Sequence, residues 1–323
     1  MKDMPMSSST SHETSPCCGP GRTPETTTTT PASHAPAAEK AMIVARLAAA
    51  SAPELEMIGL SGGEYRMGSE DQVAYPEDGE GPVRIVRLDP FAISATTVTV
   101  AEFARFVLAT DYVTDAERYG DSLVFQGLLS AEMRDQAKAP VSSTPWWRQV
   151  PGATWFAPTG AGSTADDQED HPVTQVSQRD ALAYASWVGA RLPTEEEWEF
   201  ASRGGLDQQS YPWGDVRDPE GQCRMNIFPG EFPEGVDGQV GTQPVRSFEP
   251  NGYGLFNTTG NVWEWTDARF SSATPDPVMR GGSYMCHSSY CRRYRTSART
   301  SASADSSLGH TGFRLAFTPA MQG

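Results

Sequence analysis

The sequence lacks several features that define common classes of protein. Its 323 residues include only 5 cysteines and 5 histidines, too few and too irregularly spaced for a secreted disulfide scaffold or a histidine-rich metal site. No run of about 18 apolar residues could span a membrane, and residues 1–20 have no apolar core of the kind that a secretory signal needs. We therefore expect a cytoplasmic protein with no membrane partner.

Positive charge is also scarce. The chain has 25 lysines and arginines against 41 aspartates and glutamates, which gives a net charge of -16. Binding to nucleic acid requires cationic side chains that neutralise phosphates, so nucleic acid is not an expected partner. A client that carries positive charge is the better electrostatic match.

The chain divides into a tail and one domain. Residues 1–38 are rich in Ser, Thr and Pro and have little apolar surface to bury, which predicts a disordered, low-complexity tail. Residues 39–323 are predicted to form a single catalytic domain, because their composition is uniform and shows neither a second linker nor a repeat of fixed period. The domain opens with an Ala-rich segment, residues 39–50, that is predicted to be helical.

Capping boxes predict three helices, which begin after Thr99, Ser177 and Thr194, each followed three positions later by an acidic residue. The segments VRIVRLDPFAIS and FRLAF have the character of strands. By contrast, residues 207–283 are punctuated by Gly, Pro, Asn and Asp. A compact domain tolerates such a long irregular stretch when something other than regular hydrogen bonding orders it, and bound cations are one candidate.

The sharpest chemical signal is MRGGSYMCHSSYCRRYR, residues 279–295, in which four residues separate Cys286 from Cys291. Two thiolates at this spacing can bind one soft ion such as Cu(I). The neighbouring Arg292, Arg293 and Arg295 are expected to favour the thiolate form. Spacing alone fits a local disulfide or two inert thiols at least as well, so both interpretations stay open at this point.

A second signal is a supply of hard oxygen ligands. The segments NIFPGEFPEGVDGQVGT and GLFNTTGNVWEWTD offer Asn226, Asp237, Asn257, Glu264 and many backbone carbonyls. Oxygen ligands at irregular spacing suit Ca²⁺, which accepts six to eight of them in flexible geometry. The alternative is that these Asn and Asp residues only form Asx turns.

Taken together, several motifs resemble the formylglycine-generating enzymes of the sulfatase-modifying-factor family. They are GGEYRMGS, RLPTEEEWEFASRGG, PNGYGLFNTTGNVWEWT, RGGSYMCHSSYCRRYRTSART and GFRLAF, and they occur in the family's order between residues 57 and 317. The RLPTEEEWE and GNVWEW types are shared by the wider family and indicate its fold. The segment that discriminates activity is GGSYMCHSSYC, because relatives without this activity generally lack the cysteine pair.

The resemblance implies an α+β, C-type-lectin-like fold with little regular secondary structure, two structural Ca²⁺ ions and a catalytic Cu(I). It assigns Cu(I) to Cys286 and Cys291. It assigns one Ca²⁺ to the side chains of Asn226 and Asp237 and the carbonyls of Ile227 and Gln239. It assigns the other Ca²⁺ to the side chains of Asn257 and Glu264 and the carbonyls of Gly260 and Val262. Trp263, Ser283 and Tyr290 resemble the family's oxygen pocket beside the copper.

The implied activity is that of a copper-dependent monooxygenase in sulfatase maturation. It would oxidise the cysteine of a Cys-x-Pro-x-Arg segment, in an unfolded sulfatase or a peptide, to Cα-formylglycine with O₂ and a thiol reductant, and act as a monomer. An alternative is a non-catalytic, calcium-stabilised peptide-binding or regulatory module of the same fold, against which both cysteines argue. A histidine-dependent iron enzyme of the ergothioneine-synthesising type would need an added domain and histidines that this chain lacks.

Departures from the family pattern are informative as well. Animal members carry two disulfides at positions that correspond here to Ser202 with Thr296 and Ala185 with Leu315. Losing both bridges as pairs agrees with a reducing, cytoplasmic location. His310 stands where animal members have an Asn near the active site, and the sequence alone assigns it no role.

Overall fold

The computed structural model describes residues 37–138, 140–141, 144–234 and 240–318. Most of the predicted tail, residues 1–36, lies outside the described residues. In the described part of the chain, no helix is long and apolar enough to cross a membrane.

Short helices supply part of the scaffold. The described residues form six α helices: α1 (Ala37–Ala49), α2 (Val100–Thr110), α3 (Asp115–Tyr119), α4 (Ala131–Gln136), α5 (Gln178–Trp187) and α6 (Glu195–Ser202). The capping boxes predicted at Thr99, Ser177 and Thr194 are confirmed, and they start α2, α5 and α6. A fourth box, at Thr114, starts α3 and was not predicted.

Helix α1 is part of the packed structure. It lies against α2 and buries Ile43, Val44 and Leu47, so its apolar residues join the main hydrophobic core. This packing explains why a short Ala-rich helix is stable here, since most helical stability in proteins comes from burial of one face.

The strands are also short. The described residues form β1 (Met57–Leu60), β2 (Gly63–Met67), β3 (Arg84–Leu88), β4 (Phe91–Ser94), β5 (Asp121–Phe125), β6 (Trp147–Pro151), β7 (Trp263–Arg269), β8 (Pro277–Arg280), β9 (Arg299–Ser301), β10 (Thr311–Phe313) and β11 (Ala316–Phe317). The segment VRIVRLDPFAIS gives β3 and β4 as predicted, whereas FRLAF is divided between β10 and β11. The α+β class is thus confirmed.

The strands assemble into small sheets. One sheet has the order β1-β4-β11, a second has the order β10-β7-β8-β9, and β2-β3 and β5-β6 form two separate pairs. In the second sheet β10 runs parallel to β7, and the other neighbours are antiparallel. This parallel pairing matters for the site, because it brings the residue before β10 against the start of β7.

The irregular stretch predicted for residues 207–283 is confirmed for the described residues as far as residue 262, and its last part is wrong because it contains strands β7 and β8. In the described residues between α6 and β7, a single 3-10 turn, Pro219–Gly221, is the regular structure present. Side-chain amides take over part of the hydrogen bonding there. Asn251 Nδ2 donates to the carbonyls of Ala201 and Ser202, and its Oδ1 accepts from two backbone N–H groups. These bonds tie the irregular segment to α6.

The main core lies between α2, α5 and the second sheet. Phe103 is at its centre, with ring centroids 5.2 Å from Trp155, 5.9 Å from Tyr184 and 6.5 Å from Phe313. The same buried cluster includes Trp263, Cys286 and Cys291. The cysteine pair therefore sits in the packed interior and not in a surface loop.

Candidate active site

The two cysteines of segment 279–295 are buried thiols held side by side. Cys286 is 1% exposed and Cys291 is 0% exposed. Their Sγ atoms are 3.3 Å apart, whereas a disulfide bond is about 2.0 Å long. The structure thus shows two adjacent thiols rather than the local disulfide that the spacing alone left open.

Local backbone bonds set this distance. The carbonyl of Ser283 accepts the Cys286 N–H at 2.9 Å, and the carbonyl of His287 accepts the N–H groups of Tyr290 and Cys291 at 3.0 and 2.8 Å. The cysteines therefore lie on two consecutive turns, and with four residues between them the second sulfur lies next to the first.

Gly282 lets this segment fold back on itself. Its φ of +75° lies in the left-handed region, and a Cβ atom there would stand 2.7 Å from the carbonyl oxygen of Arg293. That distance is far inside van der Waals contact, so a larger residue would push apart the two ends of the cysteine segment. The GG of the RGGSYMC motif has this steric basis.

Two of the three arginines that follow the cysteines form buried ion pairs. Arg293 Nη2 binds Asp78 Oδ1 at 3.1 Å, and Arg295 binds both oxygens of Glu80 at 2.5 and 2.6 Å. All four side chains are buried. Carboxylates of the PEDGEG segment, residues 76–81, thus balance the charges of Arg293 and Arg295. The expected effect of the three arginines on the thiols stays a prediction. Neither partner was predicted, although the acidic run in PEDGEG was visible.

The residues that resemble an oxygen pocket share the buried cluster of the cysteines or contact it: Trp263 belongs to that cluster, Tyr290 packs against it, and Ser283 contacts Cys286. Ser283 Oγ is 3.0 Å from His310 Nδ1, and the His310 carbonyl accepts the Trp263 N–H at 2.8 Å. The indole Nε1 of Trp263 is buried and has no hydrogen-bond partner among the described residues. A buried donor without a partner is costly, so a bound molecule that accepts this N–H would relieve that cost.

Tyr290 belongs to an aromatic cluster beside Cys291. Its ring is stacked on Phe232, with centroids 4.4 Å apart and planes 2° from parallel, and it meets the edge of Trp146 at 4.7 Å. Phe232 and Trp146 were not predicted as site residues. Their contact with Tyr290 is tertiary, and the sequence gives no local sign of it.

Burial also affects Tyr294, which follows the pair. Burial raises the pKa of its phenol, the nearby thiols of Cys286 and Cys291 add to the rise, and Arg217 opposes it. Tyr294 therefore stays a neutral phenol at ordinary pH, and it places no extra negative charge beside the sulfur atoms.

A surface cavity opens next to the thiol segment. Its volume is about 390 Å³, and its lining includes Asp167, His171, Val240, Tyr284 and Gly309. Tyr284 and Gly309 are the chain neighbours of Ser283 and His310. The cavity is thus adjacent to the candidate site and large enough to receive part of a peptide.

The candidate calcium ligands near β7 are only partly arranged as a cation site. Asn257 Oδ1 is buried without a hydrogen-bond partner among the described residues, as a ligand oxygen would be. The carboxylate of Glu264 is fully buried, accepts from Trp198 Nε1 at 2.7 Å and forms an ion pair with Arg314 at 2.5 and 2.7 Å. Each carboxylate oxygen has about two acceptor positions, so Glu264 Oε1 keeps one for a cation. The carbonyls of Gly260 and Val262 lie between these two ligands in the chain.

The other candidate calcium site is described in part. Asn226 is buried, and its Nδ2 donates to the Gly241 carbonyl at 2.8 Å and to Asn261 Oδ1 at 2.9 Å. These bonds use the amide nitrogen, and Ile227 follows directly in the chain. Asp237 and Gln239 lie outside the described residues. No cluster of three or more His, Cys, Asp or Glu occurs in the part of the chain described.

Comparison with known proteins places this geometry in a family. Residues 45–319 match the model of the sulfatase-modifying factor enzyme 1-like domain. The chain belongs to the sulfatase-modifying factor family. The formylglycine-generating enzyme of Thermomonospora curvata is 52% identical over 284 residues, which cover 81% of this chain and 93% of that protein.

Two further relatives show that family membership establishes the fold but not the activity. The structure of PvdO from Pseudomonas aeruginosa is 24% identical, with a TM-score of 0.55 over 81% of this chain and 94% of PvdO, and it supports the fold alone. The expected C-type-lectin-like fold of the sulfatase-modifying factor family is thereby confirmed. A Bos taurus protein named inactive C-alpha-formylglycine-generating enzyme 2 is 44% identical over 81% of this chain and 88% of its own length. The sulfatase-modifying factor family therefore includes a member named inactive, and membership alone does not establish activity. Evidence for activity has to come from the geometry of the site.

Proposed function

We propose that this protein converts the cysteine of a Cys-x-Pro-x-Arg segment, in an unfolded sulfatase, to Cα-formylglycine. The observation that carries the proposal is the buried pair of thiols, Cys286 and Cys291, with sulfur atoms 3.3 Å apart. A purely structural role would not require two thiols to stay unbridged at this distance. The 52% identity with a protein named formylglycine-generating enzyme supports the same reaction.

The donor chemistry of the pair fits Cu(I). Thiolates are soft ligands, and two of them suit a monovalent copper ion better than they suit Ca²⁺ or Mg²⁺. Cys286 and Cys291 would hold the ion. When bound, copper would supply the one-electron chemistry with O₂ that amino-acid side chains lack.

The proposed reaction balances with O₂ and a thiol reductant. The client's Cβ loses one hydrogen and its bond to sulfur and gains a double bond to one oxygen atom, and the sulfur leaves as sulfide. The second oxygen atom becomes water, with two electrons and two protons supplied by oxidation of two thiols to a disulfide. The protein's part is to exclude bulk water and to orient the reacting groups.

Named side chains can perform that part. The Ser283 hydroxyl and the Trp263 indole N–H offer hydrogen bonds inside the site. Tyr290, packed on Phe232, provides a rigid aromatic wall next to Cys291. Because these groups are held by packing before the client arrives, little ordering is left to the moment of reaction.

The client's chemistry suits the surface of this chain. An extended peptide would reach the thiols by way of the cavity beside Tyr284, whose lining includes Asp167 and also Asp166, which is paired with Arg46. The arginine of the client would be attracted by Asp167 and by the net charge of -16. We further propose that the enzyme acts as a cytoplasmic monomer.

Two Ca²⁺ ions would have a structural role in this proposal. The buried, unpartnered Asn257 Oδ1 supports one site. Both ions would stabilise the long irregular segment between α6 and β7, which has little regular secondary structure of its own.

The test is a peptide assay. A Cys-x-Pro-x-Arg peptide is incubated with the protein, Cu(I), O₂ and a thiol, and mass spectrometry follows replacement of the cysteine sulfur by a carbonyl oxygen. A peptide with Ser for Cys serves as the control and should remain unchanged. Binding of the cysteine peptide without any conversion would overturn the proposal and favour a non-catalytic peptide-binding module.

A further inference from the structure

His310 occupies a position at the centre of the candidate site. It is 0% exposed, it directly precedes β10, and its carbonyl accepts the Trp263 N–H at 2.8 Å. Its ring Nδ1 is 3.0 Å from Ser283 Oγ. His310 is thus joined to two residues of the proposed oxygen pocket: its ring contacts Ser283, and its backbone carbonyl accepts the backbone N–H of Trp263 at the start of β7.

We propose that His310 is a positioning residue that fixes the orientation of the Ser283 hydroxyl for the oxidation step. This inference rests on the proposed function. It assigns a role to a residue that departs from the Asn of animal family members, and for which the sequence alone gave none.

The hydrogen-bonding capacity of a serine hydroxyl makes the role specific. Such a hydroxyl has one O–H donor and two acceptor positions. Ser283 Oγ accepts the Met285 N–H at 3.2 Å and pairs with His310 Nδ1. If Nδ1 donates, both acceptor positions are filled, and the O–H remains to donate into the site. If Nδ1 accepts, the O–H is used, and one acceptor position remains. Either tautomer of His310 reduces a freely rotating hydroxyl to one defined role.

The backbone of Ser283 is fixed relative to the thiols as well. The backbone N–H of Ser283 contacts Cys286 Sγ at 3.4 Å, and the Ser283 carbonyl accepts the Cys286 N–H at 2.9 Å. A change in the orientation of Ser283 is therefore a change beside the sulfur that would hold copper. His310 acts on the reaction through Ser283.

The imidazole itself has little freedom to rotate. The fully buried ring of Trp147 meets it edge to face, with centroids 4.7 Å apart and planes at 73°, and the ring of Tyr284 lies 6.4 Å away. Rotation of χ1 or χ2 would require these rings to move in a close-packed interior. The geometry of the His310–Ser283 pair is accordingly set by packing before any ligand binds.

Two matched variants of His310 distinguish a role in positioning Ser283 from a role in filling space. In His310→Asn the side-chain amide stands near the place of Nδ1, whereas in His310→Gln it stands near the place of Nε2, one bond farther out. We expect His310→Asn to keep kcat within about threefold, and His310→Gln to lower kcat about tenfold with KM for the peptide little changed. Copper stoichiometry and melting temperature should be similar in both variants.

A cycle with Ser283→Ala supplies the decisive comparison. If His310 acts through Ser283, His310→Gln should reduce kcat much less in the Ser283→Ala background than in the wild type. Equal activity of the Asn and Gln variants, fully additive losses, or losses of kcat that follow losses of copper or of melting temperature would each overturn the positioning role. An inactive wild-type protein in the same assay would instead refute the proposed function itself.

Discussion

Glu264→Ala should lower the thermal stability of this protein strongly, because it leaves the charge of Arg314 buried without its counterion. Both side chains are 0% exposed, and the carboxylate binds the guanidinium through Nε and Nη2 at 2.5 and 2.7 Å. Arg314 also donates to the carbonyls of Ser94, Ala95 and Phe256. Those bonds keep the guanidinium inside after the carboxylate is removed, so its charge has no route to solvent.

The magnitude follows from this geometry. Removing one partner of a buried ion pair costs about 3–5 kcal/mol of the free energy of unfolding. For a domain of this size, each kcal/mol shifts the melting temperature by about 2–4 °C, which gives a fall of roughly 6–20 °C. The variant also leaves Trp198 Nε1 without its acceptor, which places the expected fall toward the larger values.

The assay is thermal unfolding followed by circular dichroism, with calcium and with a chelator. The control is Glu132→Ala on α4, whose side chain is exposed and whose loss should change stability by about 0.5 kcal/mol or less. If Glu264 also binds Ca²⁺, the chelator should lower the melting temperature of the wild type and have a smaller effect on Glu264→Ala. Melting of Glu264→Ala within a degree or two of the wild type would refute the buried-pair argument, and chelator-insensitive wild-type melting would remove calcium from the account.

The remaining predictions concern α1 and α5. Leu47→Ala, at a fully buried position on α1, should lower the free energy of unfolding, measured with denaturant, by about 2–5 kcal/mol. Deletion of residues 1–36 should leave that free energy unchanged and peptide oxidation within a few-fold. A stable Leu47→Ala variant together with a destabilised deletion variant would contradict the domain boundary. Burial raises the pKa of Asp180 to about 6, above the value of about 3.9 in an unfolded chain. The stability contributed by the protonated carboxyl is therefore full below about pH 4 and is lost as pH rises to about 6. Asp180→Asn should remove this change of melting temperature between about pH 4 and pH 6. A variant with the same pH dependence as the wild type would contradict the raised pKa of Asp180.

Local signals made parts of the fold predictable. The capping boxes at Thr99, Ser177 and Thr194 each rely on residues within one helical turn, and all three helices begin where the pattern places them. Thr114 uses the same chemistry, but its helix has only five residues and no long apolar periodicity. Short elements of this kind lack the repeated pattern on which sequence reasoning depends.

Contacts between residues that are far apart in the sequence could not be predicted from local patterns. Arg293 meets Asp78 across 215 residues of sequence, and Phe232 stacks on Tyr290 from the irregular segment. A charge run such as RRYR shows where cations are and does not show which carboxylates balance them. For this reason the sequence did not reveal that buried carboxylates balance the charges of Arg293 and Arg295.

The candidate site was predictable to an intermediate degree. Family resemblance named Cys286, Cys291, Ser283, Trp263 and Tyr290. In the structure Ser283 contacts Cys286, and Trp263 and Tyr290 belong to or pack against the buried cluster that holds both cysteines. The resemblance gave no partner for His310, because that position departs from the family pattern. Contact between His310 and Ser283 depends on the pairing of β10 with β7, which no single segment of the sequence reveals.

The most direct test of the account is to measure copper stoichiometry, melting and peptide oxidation on the same samples of wild type, Cys286→Ser and Cys291→Ser. A serine hydroxyl is a poor ligand for Cu(I) and is close in size to a thiol. We therefore expect each variant to stay folded and bind the peptide, with copper affinity reduced by orders of magnitude and no turnover. Full peptide oxidation by either variant with copper supplied would contradict the proposed role of the thiol pair.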